Sequence, residues 1–217
     1  MRIHLLAGLL AAACLLTACP LVAADPVVAG TEITLPAPRL AGPVSVEAAL
    51  AKRRSVRQFA PRPLTTAEIS QLVWAGQGIT DPKTGHRTAP SAMAKYPLDL
   101  YLVTADWAAR YLPDGHKLAV VATGDHRAEL SGQNQVKSAP LVIVIAGTAS
   151  RIGGGRAEEW TAFEAGAAAQ NMHLQAVTLG LVSVTVGGYD QPGVTKALNL
   201  PDGTRPYILA PVGAPKP

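Results

Sequence analysis

Apolar positions along this chain change their spacing repeatedly, and each change marks an element. Residues 5–16 form an unbroken apolar run behind a single charge at Arg2. Residues 25–43 are proline-rich and show no helical repeat, as expected of an extended tether. Val46, Ala49, Leu50 and Arg53 then recur at helical spacing behind Ser45, a suitable N-cap. Thr65 and Glu68 fit a capping box, in which each side chain satisfies the other residue's free amide. Behind them Ile69, Leu72, Val73 and Gly76 form the buried stripe of a second helix. Residues 80–97 hold turn formers without a period and predict a loop. Leu98, Leu100 and Leu102 alternate with Asp99, Tyr101 and Val103, which predicts a strand with one wetter face. A hairpin is expected over 112–122, and a short helix from Asp125 toward Gly132. Residues 139–147, APLVIVIAG, are apolar throughout and predict a strand buried on both faces. A long helix follows over 158–179, with small residues at 165–169. Residues 181–188, LVSVTVGG, predict another buried strand ending in two glycines. Asp190 caps a short helix, and RPYILAPVG (205–213) is the last strand. Helices and strands are interspersed but not as a regular βαβ series. That pattern favours an α+β sandwich, a mostly antiparallel sheet flanked by helices.

Composition adds compartment and excludes some functions. The chain has 217 residues, is 48% hydrophobic and carries a formal charge of +4, enough apolar material for one cored domain. The basic residues are scattered apart from one cluster, so no nucleic-acid footprint is visible. Arg2 and the following apolar run read as an export signal over 1–24, too short for a comfortable membrane span. Two processing sites are written into it. Leu16-Thr17-Ala18-Cys19 resembles a lipobox, the preferred reading, and Val22-Ala23-Ala24 resembles a small-residue cleavage site. Both cysteines, Cys14 and Cys19, fall within this segment, so no disulfide is expected in the domain. The protein is therefore expected to be exported and periplasmic, with any membrane attachment through a lipid on Cys19. The expected division is a signal over 1–24, a tether over 25–43 and one domain over 44–217.

Familiar catalytic motifs are missing. The five histidines show no metal-ligand spacing, and the chain holds no GxSxG elbow, Walker loop or GxGxxG. The glycines at 153–155 read as a flexible turn. Glu158 and Glu159 suit the first turn of a helix, where carboxylates complement the dipole. Glu164 lies among small apolar residues and needs a buried partner, for which an arginine is the obvious candidate. The most concentrated chemistry is at 51–59, AKRRSVRQF, where Arg53, Arg54 and Arg57 fall within five positions. A helix C-terminus accounts for one such cation comfortably and for three poorly. Arg53 and Arg57 share a face if the helix continues, and Ser55 offers a hydroxyl beside them. Guanidinium forks with a hydroxyl suit a phosphate-sized anion.

RRSVRQFAPRPLTTAEISQLVWAGQGIT, followed by RTAPSAMAKYPLDLYLV, resembles the nitroreductase family of FMN flavoproteins, and most of all its SagB-type dehydrogenase branch, whose relatives oxidise azoline rings in peptides. The resemblance continues through SAPLVIVIAG, FEAGAAAQNMHLQAVTLGL, VGGYD and ILAPVG, from about Val46 to the C-terminus. It implies an α/β/α sandwich, a homodimer, FMN as cofactor, and a small-molecule substrate or electron acceptor. Arg53 and Ser55 match residues that hold the FMN phosphate, with Arg54 in the same motif. Arg57 matches a cation at the pyrimidine edge of the flavin. Pro90, Ser91 and Ala92 match a loop that reaches the flavin of the partner subunit. Gln135 matches a polar contact to the ring, and Gly187 and Gly188 match the strand end facing flavin N5. Lys216 stands where the family has C-terminal phosphate-binding cations. No side chain is implied as acid or base, since hydride passes through flavin N5. The chain departs from close relatives at Met93, where they have glycine, and at Lys95. Two readings of function follow: an exported FMN oxidoreductase, or a non-catalytic flavin- or ligand-binding lipoprotein on the same fold.

Overall fold

The structure, a computed structural model, describes residues 28–217. The expected export signal, with Cys14 and Cys19, lies outside the described residues. Nine strands and six helices follow in order along the described chain: β1 (Glu32–Thr34), α1 (Val46–Lys52), α2 (Thr66–Gln77), β2 (Ile79–Asp81), β3 (His86–Arg87), β4 (Leu98–Val103), β5 (Trp107–Leu112), β6 (Lys117–Thr123), α3 (Arg127–Leu130), α4 (Asn134–Lys137), β7 (Leu141–Gly147), α5 (Ala157–Thr178), β8 (Val182–Ser183), α6 (Gln191–Ala197) and β9 (Arg205–Gly213). Seven strands form one sheet in the order β1-β6-β5-β4-β7-β9-β8, antiparallel at every step.

Helices cover both faces, so the expected sandwich is observed. Leu98, Leu100, Leu102, Ile143 and Ile145 pack under α2 and α5, against Leu72, Ala165, Ala168 and Met172. Tyr101, Val103, Val142 and Val144 pack on the other face against Leu130, Val136 and Val194 of the short helices and Leu198 just after α6. This second layer corrects the expectation of a wet face on β4, because all six of its residues are buried. Asp99 tolerates burial there through Arg110 at 2.6 Å and Arg151 at 2.8 Å.

Local rules explain the long elements. Ser45 caps α1 by accepting from the Ala48 amide at 3.2 Å. Thr65 and Glu68 form the capping box of α2 reciprocally, at 3.2 and 2.7 Å. The hairpin is longer than expected: β5 begins at Trp107, and the turn carries left-handed φ at Gly115 and His116. The predicted loop over 80–97 includes the small β2–β3 hairpin and a 3-10 turn at Ala92–Ala94. Part of the proline-rich segment belongs to the sheet, since β1 pairs with β6 and Leu35 is buried. The predicted strand over 181–188 is broken. Val182–Ser183 pairs with β9, and Val186 pairs separately with Leu209 in the same register. Thr185, Gly187 and Gly188 are exposed, so only one face of that segment is buried.

Candidate functional site

Helix α1 ends at Lys52, because Arg53 already has extended backbone angles, φ −55° and ψ 126°. The three arginines therefore do not lie on a continuing helix, which corrects the geometry expected for Arg53 and Arg57. They share a face for a different reason. Residues 53–57 run as an extended chain, in which side chains alternate with a period of two. Arg53, Ser55 and Arg57 fall on one side and Arg54 on the other. The Arg54 guanidinium turns back to the end of α1, donating to the Ala51 and Arg53 carbonyls at 3.0 and 2.7 Å. It is the helix-end cation. Arg53 and Arg57 have no ion pair among the described residues.

The extended segment is clamped from two sides. Ser55 forms a parallel bridge with Ser183, and the Val56 amide donates to the Ser183 carbonyl at 3.0 Å. Farther along, Phe59 bridges Pro215 in antiparallel fashion, and the Ala60 amide donates to the Ala214 carbonyl at 3.0 Å. Continuing that register by one residue places Lys216 opposite Gln58, next to Arg57. The alternation thus gathers Arg53, Ser55 and Arg57 on one face, while Lys216, opposite Gln58, falls on the other with Arg54.

The same strand leads from Ser183 to the glycine pair. Four residue steps of extended chain lead from Ser183 to Gly187, at most about 13 Å. A methyl group at Gly187 would meet nothing within 4 Å, so open space lies beside it. At Gly188 a Cβ would fall 2.7 Å from Gln133 Nε2. The Gly188 carbonyl accepts from Ser131 Oγ and Gln133 Nε2, both at 2.8 Å. Gln135 is one step removed: its amide donates to Gln133 Oε1. Gln133 thus reaches Gly188 directly, and Gln135, the residue expected at the ring, joins the same hydrogen-bonded chain.

Pro90, Ser91 and Ala92 belong to a separate loop, before β4, and line none of this surface. Their loop is held by Glu164 of α5, whose Oε1 accepts from the Ala92 amide at 2.7 Å and from Ser91 Oγ at 3.0 Å. The predicted arginine partner of Glu164 is thus replaced by a loop. Burial raises the Glu164 pKa, while the two hydrogen bonds and the more distant Arg87 oppose the shift. Ser91 Oγ also accepts from the Tyr96 amide at 2.7 Å. Met93 occupies the left-handed region at φ 53°, a conformation that suits glycine and strains other residues. The residue is 64% exposed, and Phe163 of α5 is 66% exposed. A hollow of about 330 Å³ is lined by Pro90, Ser91, Ala92, Trp160, Phe163 and Ala167. A separate cavity of about 560 Å³, bounded by Pro61, Pro63, Leu64, Trp107, Arg127 and Pro140, contains none of the predicted site residues.

One buried residue at the groove went unpredicted. His173 of α5 places Nδ1 2.5 Å from Ser183 Oγ and Nε2 2.5 Å from Thr185 Oγ1. Burial, then the nearby Arg53 charge, lowers its pKa to about 4, so the imidazole is neutral. Its signal in the sequence is its place on the buried stripe of α5 with Ala165, Ala169 and Ala176. Among the described residues no cluster of His, Cys, Asp and Glu could hold a metal, and no helix is long and apolar enough to cross a membrane.

Comparison with known proteins matches the chain to one family. The model of the nitroreductase family matches residues 50–214. A protein of Methanocaldococcus jannaschii described as a nitroreductase is 33% identical over 183 residues, covering 78% of this chain and 91% of its own. A crystal structure from Ralstonia eutropha, described in the same terms, superposes with a TM-score of 0.80 at 30% identity, covering 86% of this chain and 90% of that one. The Escherichia coli microcin synthetase complex with a truncated precursor bound contains a chain of the same fold. Its TM-score is 0.66 at 22% identity, over 78% of this chain and 73% of that one.

Proposed function

The chain belongs to the nitroreductase family, and on that premise we propose that it is an FMN-dependent oxidoreductase acting on a small organic substrate or electron acceptor. The observation that carries this reading is the face formed by Arg53, Ser55 and Arg57, bridged through Ser55 to the strand that ends in Gly187 and Gly188. The residues fit the cofactor. Two guanidinium groups without a carboxylate partner suit a phosphate, and the open side of Gly187 suits the approach of a flat ring.

Bound FMN supplies reversible acceptance of a hydride at N5. The chain's own residues bind and orient. Arg53 and Ser55 hold the phosphate end. Arg57 sets a fixed positive charge where the reduced ring accumulates negative charge. Gln133 and Ser131 pin the Gly188 carbonyl and so fix the glycine strand. No side chain is assigned as acid or base. The SagB-like motifs favour a dehydrogenase cycle on an organic substrate as much as nitro-group reduction.

The proposed enzyme is a homodimer. Exposed Phe163, with open space at Gly166 three residues on, supports a second copy packing on this face of α5, and Met93 is a further exposed apolar residue on the loop that Glu164 holds. Pro90, Ser91 and Ala92 would then reach the partner's groove. Export, and attachment through Cys19, are proposed from the N-terminal sequence.

The test is reconstitution of purified protein with FMN. A yellow protein, bleached by dithionite or NAD(P)H and reoxidised by a nitroaromatic or quinone acceptor, is expected. Tight binding without acceptor turnover would leave a carrier, and absence of flavin binding would overturn the reading.

A further inference from the structure

We propose that His173 is the positioning residue for the phosphate end of the groove, holding Arg53 and Ser55 in place through the hydroxyls of Ser183 and Thr185. The inference rests on the flavin reading above and adds a residue that never touches the ligand. It starts from an imbalance in α5, whose buried stripe is mostly alanine. Thr161, Glu164 and His173 are its buried polar side chains among the described residues. Thr161 is satisfied within the helix, donating to the Ala157 carbonyl at 2.7 Å. The other two reach outward. Glu164 holds the 90–92 loop, and His173, nine residues on and about 14 Å farther along the axis, holds the groove strand.

A neutral imidazole has one donor and one acceptor, and here each nitrogen faces a hydroxyl. Ser183 and Thr185 are two apart in an extended chain, so both hydroxyls fall on the same side, and Gly187 shares it. Ser183 is the residue to which Ser55 is bridged. One ring therefore sets the height of the strand above α5, and the strand sets the height of the arginine segment. Arg53 lies close enough for its charge to act on the imidazole. Hydrogen-bonded hydroxyls fix a strand more narrowly than apolar contact does, because the bonds are directional.

The ribityl phosphate should depend on this support and the ring should not. FMN and riboflavin differ only in that phosphate, so their affinities separate the two ends. For wild type, we expect FMN to bind more tightly than riboflavin. His173→Leu should weaken FMN by about 10-fold or more, the loss of one good polar interaction, and leave riboflavin within about two-fold. His173→Gln, which keeps a donor and an acceptor, should restore most of the difference. Thr185→Val, at an exposed position, tests the same link if His173→Leu fails to fold. Equal FMN preference in wild type and in Thr185→Val or His173→Leu would overturn the role of His173 and leave the flavin reading intact. Failure of wild type to bind either flavin would overturn both. Parallel loss of FMN and riboflavin would mark His173 as a general core residue and also overturn the proposal.

Discussion

Ser55 and Ser183 form the one parallel pairing among the described residues, in a fold whose sheet is otherwise antiparallel. That bridge ties the arginine segment to the glycine strand, and it decides which arginines matter. Arg54 lies on the far side of the segment, donating to carbonyls at the end of α1. Arg54→Ala is therefore expected to leave FMN affinity within about two-fold and to cost at most about 1 kcal/mol of stability, the worth of an exposed helix-end cation. Titration of flavin fluorescence and a melting curve check the two parts.

Gly187 separates ligand space from protein packing. Gly187→Ala adds a methyl group where the protein has no atom within 4 Å. The melting temperature of the flavin-free protein should hold, while FMN and riboflavin both bind at least about 10-fold less tightly, because a Cβ intrudes on the ring. Unchanged binding of both would show that the flavin does not approach this strand.

Glu164 makes stability depend on pH with a particular sign. Burial raises its folded pKa, so between the unfolded and folded values the folded protein holds the extra proton. Its contribution to stability then declines as pH rises through that window. Glu164→Gln keeps an oxygen to accept from Ala92 and Ser91 and removes the buried charge. It should flatten this dependence in urea unfolding across the carboxylate range. Glu164→Leu leaves both donors unpaired and should cost about 1–3 kcal/mol, with faster proteolysis in the 90–96 loop.

How far the sequence disclosed all this varied with the kind of signal. Thr65 with Glu68, and the apolar run at 141–147, are local signals and were realised as read. The second helical layer was not legible. Helices α3 and α4 have four residues each, too few to show a period. Without that layer, Asp99 and Tyr101 looked like a wet face. Arg53, Ser55 and Arg57 were legible as chemistry but not as geometry. Whether they share a helical or an extended face depends on where α1 ends, and the bridge to Ser183 that stabilises the extended form lies 128 positions away. The hydrogen bond from Gln133 to the Gly188 carbonyl spans 55 positions, so no local spacing could show it. His173 was hidden by company, as a single polar residue on an alanine stripe.

His173 also predicts acid sensitivity. With a folded pKa of about 4 against an ordinary value of 6.5, the unfolded chain binds the extra proton between these limits. Stability should therefore be complete above about pH 6.5 and fall as pH drops toward 4, by roughly 3 kcal/mol in all. His173→Gln should remove this part of the profile in chemical unfolding followed from pH 7 to pH 4. A profile that keeps its full slope in the variant would assign the sensitivity to other groups.

The central claim is that Arg53 at the phosphate and Arg57 at the ring edge hold FMN beside the Ser183–Gly188 strand. The most direct measurement is the FMN dissociation constant of the purified protein, compared with that of the Arg53→Ala/Arg57→Ala double variant. Charge-assisted hydrogen bonds contribute about 1.5–3 kcal/mol each, so the variant is expected to bind FMN at least about 100-fold more weakly while keeping its fold. An unchanged dissociation constant in a folded double variant would contradict the account.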